Sequence, residues 1–345
     1  MNVLVTGTEG YIGTRLAAWL AGHGHRVTGL DSGYYREGTL YTDPLKMPQA
    51  PGTLYKDLRT VTPLDFEGFD AVVHLAELSN DPLGEHRPEI TYEINHLGSI
   101  KIAQAARDAG VRRFVYASSC SVYGAAAVDL VDETSPLNPQ TAYARCKVLV
   151  ERDLGAMASD DFSVVFLRNA TAYGPSPRMR FDIVLNDLCA LAWTTSRIVM
   201  LSDGSPWRPI VHIEDICEAM RCALEAPSSK VNGEVFNVGA TTENYRIRDI
   251  AKIVASVFPG CEVITGPPNA DNRSYRVSFD KIHSGLPGFK SRWTAKDGAV
   301  ELRQLFERIE MSTDTYKFRA FTRLLQLKFL QRTGQLDDQL YWSAR

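Results

Sequence analysis

The sequence predicts an α/β protein built on a doubly wound parallel sheet, and three observations carry that prediction. Short apolar runs alternate with amphipathic stretches through about residue 170, the pattern of strands and helices in a parallel sheet. A glycine-spaced turn, Gly7, Gly10 and Gly13, stands between the first run and the first amphipathic stretch. The second run ends in a carboxylate, Asp31.

Composition narrows the class. A chain of 345 residues with 44% hydrophobic content has enough apolar matter for one large domain or two joined ones. The formal net charge of −3 provides no general attraction to nucleic acid or to an anionic membrane, so neither is expected as a partner. The six cysteines form no C-x-x-C pair and have no clustered histidines beside them. Reduced thiols, a cytoplasmic location and no metal site are the expectation. The chain enters its first strand at Asn2 without a basic, apolar leader, and no 18-residue apolar run is present, so no membrane span is expected.

Taken in order, Asn2 to Thr6 reads as a buried strand, followed by Gly7-Thr8-Glu9-Gly10-Tyr11-Ile12-Gly13 and a helix marked by Ile12, Leu16, Trp19 and Leu20. Gly7 suits a tight turn, Gly10 a close approach of backbone to a pyrophosphate, and Gly13 the packing of helix on strand. Phosphates would sit at the helix N-terminus. The second strand, Arg26 to Leu30, delivers Asp31, whose carboxylate can accept both ribose hydroxyls and repels a 2′-phosphate, which favours NAD over NADP. Residues 33 to 55 read as a loop-rich stretch. Leu54 to Leu58 reads as a third strand whose Asp57 could meet adenine, and Ala71 to Ala76 as a fourth ending beside the cofactor. A helix is expected from about Ile90 to Ala109, then a fifth strand from Arg113 to Ala117 leading into Ser118, Ser119, Cys120 and Ser121.

Asn138-Pro139-Gln140-Thr141 supplies turn and start signals for a helix carrying Tyr143 and Lys147. At four residues apart, the two side chains share a face. An ammonium beside a phenol favours the phenolate, which suits the tyrosine to proton transfer near neutral pH.

These motifs together resemble the extended short-chain dehydrogenases/reductases, in particular the NAD-dependent nucleotide-sugar epimerases and dehydratases. The match runs through the glycine turn, Asp31, Asp57-Leu58, His74-Leu75-Ala76, Asn95, Ser118-Ser119, Ser121 to Gly124, Tyr143 with Lys147, Arg168, Tyr173-Gly174-Pro175 and the stretch Trp207 to Asp215. It covers residues 2 to about 285. The resemblance implies a Rossmann-like doubly wound parallel sheet over residues 1–170, with returning segments later. A smaller α+β substrate-binding lobe would occupy mainly residues 171–295, and a helical C-terminal extension residues 296–345. In that extension we expect helices over Gly298 to Glu310 and Thr315 to Thr333, docked on the domain with a solvated basic face.

The family pattern also implies roles. Tyr143 would exchange a proton with a sugar hydroxyl, Lys147 would hold the nicotinamide ribose, and Ser119 would bridge to the reacting oxygen. The cofactor set would be Gly7, Gly10, Tyr11, Ile12, Gly13, Asp31, Ser32, Asp57, Leu58, Leu75, Ala76, Asn95 and Ser118, with Tyr143 and Lys147. The substrate set would be Ser119, Ser121, Tyr143, Thr171, Arg178, Asn186, Arg208 and Arg273. Arg208 and Arg273 would grip a diphosphate, and Thr171 with Arg178 falls at the spacing that holds a sugar carboxylate in sequences resembling UDP-glucuronate 4-epimerase. A homodimer is implied through the helix near residues 91–109 and the Tyr143 helix. Ile102, Ala105, Val148 and Val150 suit either a core or that interface.

The reaction expected is 4-epimerisation of a nucleotide sugar. Cys120 and Ser121 stand where dTDP-glucose 4,6-dehydratases carry Asp-Glu, and Glu77 and Asp81, in the loop after the fourth strand, are the carboxylates that would restore acid–base chemistry if they reach the site. A 4,6-dehydratase, a reductase or decarboxylase of the same family, and an NAD-binding regulator without catalysis are the alternatives.

Overall fold

The computed structural model describes residues 1–42, 52–125, 129–200, 202–268 and 274–343. Its strands are β1 (Asn2–Thr6), β2 (Arg26–Asp31), β3 (Thr53–Tyr55), β4 (Ala71–His74), β5 (Arg113–Ser119), β6 (Ser163–Asn169), β7 (Thr171–Tyr173), β8 (Arg197–Val199), β9 (Trp207–His212), β10 (Val235–Val238), β11 (Asn244–Arg246) and β12 (Glu262–Ile264). The longer helices are α1 (Tyr11–Gly22), α2 (Ser99–Asp108), α3 (Ala142–Gly155), α4 (Val184–Thr195), α5 (Ile213–Glu225), α6 (Ile247–Val257), α7 (Ala295–Arg308) and α8 (Arg323–Arg332).

Seven strands form a parallel sheet in the order β10-β6-β5-β4-β1-β2-β3. Every residue of β4 and β6 is buried, as a sheet covered on both faces requires. One apolar cluster lies on each face: Leu16, Leu20, Ile216 and Met220 on one side, Phe66, Ile102, Phe114 and Leu154 on the other. The chain order reverses between β1 and β4. There the connections leave in opposite directions and a crevice opens at the carboxyl ends of the strands.

A second lobe is built from the sheet β11-β9-β7, the pair β12-β8 and helices α4, α6 and α7, around a third apolar cluster that includes Leu188, Ile250, Val254, Leu302 and Phe306. Tyr11, at the start of α1, joins this cluster and donates a hydrogen bond to the Gly174 carbonyl at 2.6 Å. The start of the first helix is thereby fastened to the second lobe.

Three elements differ from the sequence expectation. The third strand stops at Tyr55, because Asp57 caps the 3₁₀ turn Leu58–Thr60 by accepting from the Arg59 amide at 2.8 Å. The helix before α2 is not uniform: Pro88–Thr91 runs into a π-helical segment, Tyr92–Gly98. Such insertions re-aim side chains at functional sites. Here Asn95, inside the segment, is fully buried and pins the loop after β4 by accepting from the Leu78 amide at 2.8 Å and donating to its carbonyl at 3.0 Å.

The third difference lies in the tail. The single helix expected over Thr315 to Thr333 is broken into Thr313–Lys317, a 3₁₀ turn Arg319–Phe321 and α8. Phe318 and Thr322 leave helical backbone, and the Phe321 ring packs edge-on against Phe181 at 5.6 Å between centroids. Burial of that ring outweighs the hydrogen bonds a continuous helix would keep. The tail does dock on the domain, but its basic face is not wholly solvated: Arg323 is only 2% exposed. Among the described residues no helix is long and apolar enough to cross a membrane.

A buried ion pair links the sheet to α3. Arg168 at the end of β6 meets Glu151 at 2.7 Å and also donates to the Tyr123 hydroxyl at 3.0 Å. Removing one member of such a pair leaves the other charge buried and uncompensated. Arg168→Met is therefore expected to lower stability by about 3–5 kcal/mol in urea unfolding. A loss below about 1 kcal/mol would show that Glu151 finds water instead.

Candidate active site

The crevice at the switch point is a cleft of about 520 Å³, walled by strand ends on one side and by the second lobe and the C-terminal segment on the other. Its floor is the glycine turn. Gly7 has φ +77°, and a Cβ there would lie 3.0 Å from the Ala76 nitrogen. A Cβ on Gly13 would lie 2.0 Å from the Gly7 carbonyl oxygen, so α1 can start this close to the turn only with glycine. Asp31 sits behind the turn, buried, accepting from the amides of Glu9 at 2.9 Å and Gly33 at 2.7 Å. Burial pulls its carboxyl above the ordinary range, against those two amides. Tyr11, Ile12, Ser32, Asp57, Leu58, Leu75, Ala76 and Ser118 also line this half. A side-chain-free cradle at a helix start with an acid beyond it fits a dinucleotide: Gly7, Gly10 and Gly13 would admit the pyrophosphate and Asp31 would hold the adenosine ribose.

At the inner end, α3 brings Tyr143 and Lys147 to the cleft together. Thr141 caps the helix by accepting from the Ala144 amide at 3.2 Å. Lys147 is 4% exposed. Its ammonium donates to the Ala117 carbonyl, faces Glu77 Oε2 at 2.8 Å, and lies 4.7 Å and 5.4 Å from the ring centroids of Tyr116 and Tyr143. Burial works against that charge, but Glu77 holds the lysine's proton affinity above its usual level. Tyr143 departs from the simple expectation. Burial raises its pKa; Lys147 and a hydrogen bond with Ser119 lower it, while Glu77 and Asp81 raise it, and the sum stays above the ordinary tyrosine value.

Hydrogen-bond counting fixes the tautomer of His74, next door. Thr6 Oγ1 accepts from the amides of Leu75 and Ala76, both at 3.1 Å, so its own proton goes to His74 Nδ1 at 2.7 Å. His74 Nε2 then donates to Ser99 Oγ at 2.8 Å, and Ser99 donates to the Asn95 carbonyl at 2.6 Å. Burial, aided by Lys147, pushes the His74 pKa down to about 3, so the ring stays neutral.

Of the expected substrate residues, Ser119, Ser121, Tyr143, Thr171 and Arg208 line the cleft. Ser121 Oγ is buried without a hydrogen-bond partner. Cys120 points away, its thiol on the Arg168 carbonyl at 3.2 Å, and burial drives its pKa far above the thiol range, so it is no nucleophile. Arg273 lies outside the described residues.

Three residues of the expected sets are not among those that line the cleft. Arg178 does not line the cleft: its guanidinium bonds Glu9, Thr39 and the Arg36 carbonyl. Asn186 is fully buried and spends its amide on the Gly174 nitrogen at 3.0 Å, the Tyr11 hydroxyl at 3.1 Å and the Arg180 carbonyl at 3.1 Å. Asn95, tied to Leu78 on both sides, shapes the loop and does not reach the cleft.

Other wall residues were not foreseen. Arg180 lines the cleft in place of Arg178, held by Asp182 at 2.8 Å. Burial opposes the Asp182 charge, but Arg180 and Arg323 keep its pKa below the usual carboxylate value. Arg323 stacks over the Tyr35 ring at 4.2 Å, and burial and Arg180 push its pKa down to about 10. The C-terminal segment closes the adenosine end: Trp342 Nε1 donates to the Ser32 carbonyl at 2.6 Å, the Tyr34 hydroxyl donates to the Leu340 carbonyl, and Arg59 lies 3.6 Å from the Tyr341 centroid. Nothing local in the sequence marks these contacts.

Residues 3–239 match the model of the NAD dependent epimerase/dehydratase family, and the chain belongs to that family. NAD is the cofactor of the family, in keeping with Asp31. The UDP-glucose 4-epimerase of Mycolicibacterium smegmatis is 31% identical over 89% of this chain and 98% of its own. The dTDP-glucose 4,6-dehydratase of Streptomyces niveus is 28% identical over 87% of this chain and 91% of its own. Among solved structures, MoeE5 in complex with UDP-glucose and NAD superposes with a TM-score of 0.76 at 25% identity, covering 90% of this chain and 100% of that one.

Because Asp31 is buried beside the turn, Asp31→Ala is expected to weaken NAD binding by about 1–3 kcal/mol, the loss of charge-assisted hydrogen bonds. Titration calorimetry with NAD and NADP checks both the loss and the preference. Tighter binding of NADP to the unaltered protein would refute the role given to Asp31.

Proposed function

We propose that the protein is an NAD-dependent nucleotide-sugar 4-epimerase. The observation that carries this reading is the convergence of Ser119, Tyr143 and Lys147 at the inner end of the cleft, with no carboxylate at positions 120 and 121. NAD, when bound, would supply the acceptor for the C4 hydride and its donor to the other face of the sugar. Tyr143 takes the C4 hydroxyl proton and gives it back, with Ser119 as the bridge to the reacting oxygen. Lys147 would hold the nicotinamide ribose. Arg208, which also lines the cleft, suits the diphosphate of a nucleotide sugar, since a guanidinium fork matches phosphate oxygens. The small neutral side chains of Ser121 and Thr171 leave room for a 4-keto sugar to turn over.

A dehydratase is the second reading. Glu77 and Asp81 both line the cleft, and one of the relatives named above is a 4,6-dehydratase. Against it, Glu77 is engaged by Lys147 and Tyr116, and Asp81 accepts from the Thr141 hydroxyl at 2.6 Å. A purely regulatory NAD-binding protein would have no use for the assembled Ser119, Tyr143 and Lys147.

We also propose a homodimer through the helical surface around residues 91–109 and α3. Ile102, Ala105 and Val150 are already buried within one chain and Val148 is half-buried, so Leu97, 60% exposed, is the most exposed apolar group of that surface. Light scattering at micromolar concentration tests this, and a monomeric mass would refute it.

The reaction is tested with a panel of nucleotide sugars and products identified by NMR, using substrates deuterated at C4 or at C5. The expected result is an inverted C4 centre that keeps its deuterium, with no solvent exchange at C5. A product lighter by one water, carrying solvent hydrogen at C5, would establish the dehydratase. Tyr143→Phe is expected to reduce turnover by roughly 10²–10⁴ with cofactor binding retained. Near-normal turnover would remove Tyr143 from the mechanism.

A further inference from the structure

Glu77 is a carboxylate where a hydride-transfer cleft has no evident need of one. Its side chain is 2% exposed. Oε2 meets the Lys147 ammonium at 2.8 Å, while Oε1 accepts from the Tyr116 hydroxyl at 2.6 Å. Ser99 Oγ stands 3.4 Å from Oε1, but its proton is committed to the Asn95 carbonyl. Burying a carboxylate is costly unless it is paired, and the ammonium on one side with a phenol on the other supplies that pairing.

The lysine it engages is the one assigned to hold the cofactor ribose and to favour the Tyr143 phenolate. We propose that Glu77 is a positioning residue for this pair: its carboxylate anchors the Lys147 ammonium at the carboxyl edge of the sheet and offsets the positive charge that Tyr143 would otherwise feel. The proposal rests on the reading of Tyr143 as the proton-transferring group and adds what sets that group's proton affinity.

The sign follows from the charges facing Tyr143. Lys147, from its own helix, favours the phenolate. Glu77 and Asp81, from the loop after β4, disfavour it. Ser119, at the end of β5, donates to the phenolate form, and Arg180, from the segment before α4, is the second cation coupled to the ring. Tyr116, in β5, is a neutral phenol whose proton is held on Glu77. Neutralising Glu77 removes one negative charge and leaves Lys147 uncompensated, so the Tyr143 proton is lost at lower pH. A single charge at this range shifts a buried group by about 1–3 pH units.

The test is a tyrosinate titration, followed by near-ultraviolet difference absorbance between each protein and its Tyr143→Phe counterpart, on the cofactor-loaded protein without substrate. Glu77→Gln keeps the shape and removes the charge. Glu77→Ala, which only widens a cleft that Glu77 already lines, is the second neutral variant should the first fail to fold. Both are expected to lower the Tyr143 midpoint by about one pH unit or more, at least tenfold in proton affinity, and Glu77→Asp to restore most of the difference. The acid limb of turnover should move in the same direction for any nucleotide sugar that is converted. Coincident midpoints in the wild-type and neutral variants, or an upward shift, would overturn the proposal. The titration needs no substrate, so it stands apart from the reading of the reaction: near-normal turnover by Tyr143→Phe defeats the catalytic assignment whatever the midpoints do.

Discussion

A lysine ammonium taken out of water must be met on every side by something that replaces the water, and the architecture of the cleft follows from how Lys147 is met. The Ala117 carbonyl comes from β5, the carboxylate of Glu77 from the loop after β4, and the aromatic faces of Tyr116 and Tyr143 from the sheet and from α3. Three elements are thus held at one point by one charge. The start of α3 is in turn fixed by that same loop: Asp81 accepts from Thr141, and Glu85 from the Ala142 amide. The loop between residues 77 and 85 therefore sets both the helix that carries the tyrosine and the counter-charge of its lysine.

The loop is itself shaped from two sides. Thr6 Oγ1 collects the amides of Leu75 and Ala76, while Asn95, presented by the π-helical segment, clasps Leu78. His74 connects these two anchors as a neutral hydrogen-bonded bridge from Thr6 to Ser99. A histidine on a strand in a dehydrogenase-like cleft invites a role in proton transfer. Burial removes that role here and leaves a strut, since a ring that stays neutral down to about pH 3 does not titrate in the working range.

What the sequence made legible was local. The glycine spacing, the carboxylate closing β2 and the four-residue interval between Tyr143 and Lys147 are each encoded within one element, where period and turn chemistry can be read directly. The rest depends on long separations or on irregular backbone. Arg178 and Arg180 lie in a segment of turns with no period to say which of the two faces inward, and the one with the expected spacing faces away. The tail carries no glycine or proline at Phe318, so its helix break is invisible until the Phe321 ring meets Phe181. Likewise Arg323 reaches Asp182 from 141 positions away.

The closing of the adenosine end by Trp342, Leu340 and Tyr341 has a consequence for biosynthesis. Ser32 and Trp342 are separated by 310 positions, Tyr34 and Leu340 by 306. On a ribosome the glycine turn and Asp31 emerge early, whereas the residues that contact their far side follow much later. A nascent chain that has already built β1 and β2 offers an open trough until residues 340–342 have emerged. Contacts of this span are also the slowest to form, because the loop they close is nearly the whole chain. Completion of this end of the cleft thus waits on residues 340–342 and not on β1 and β2 alone.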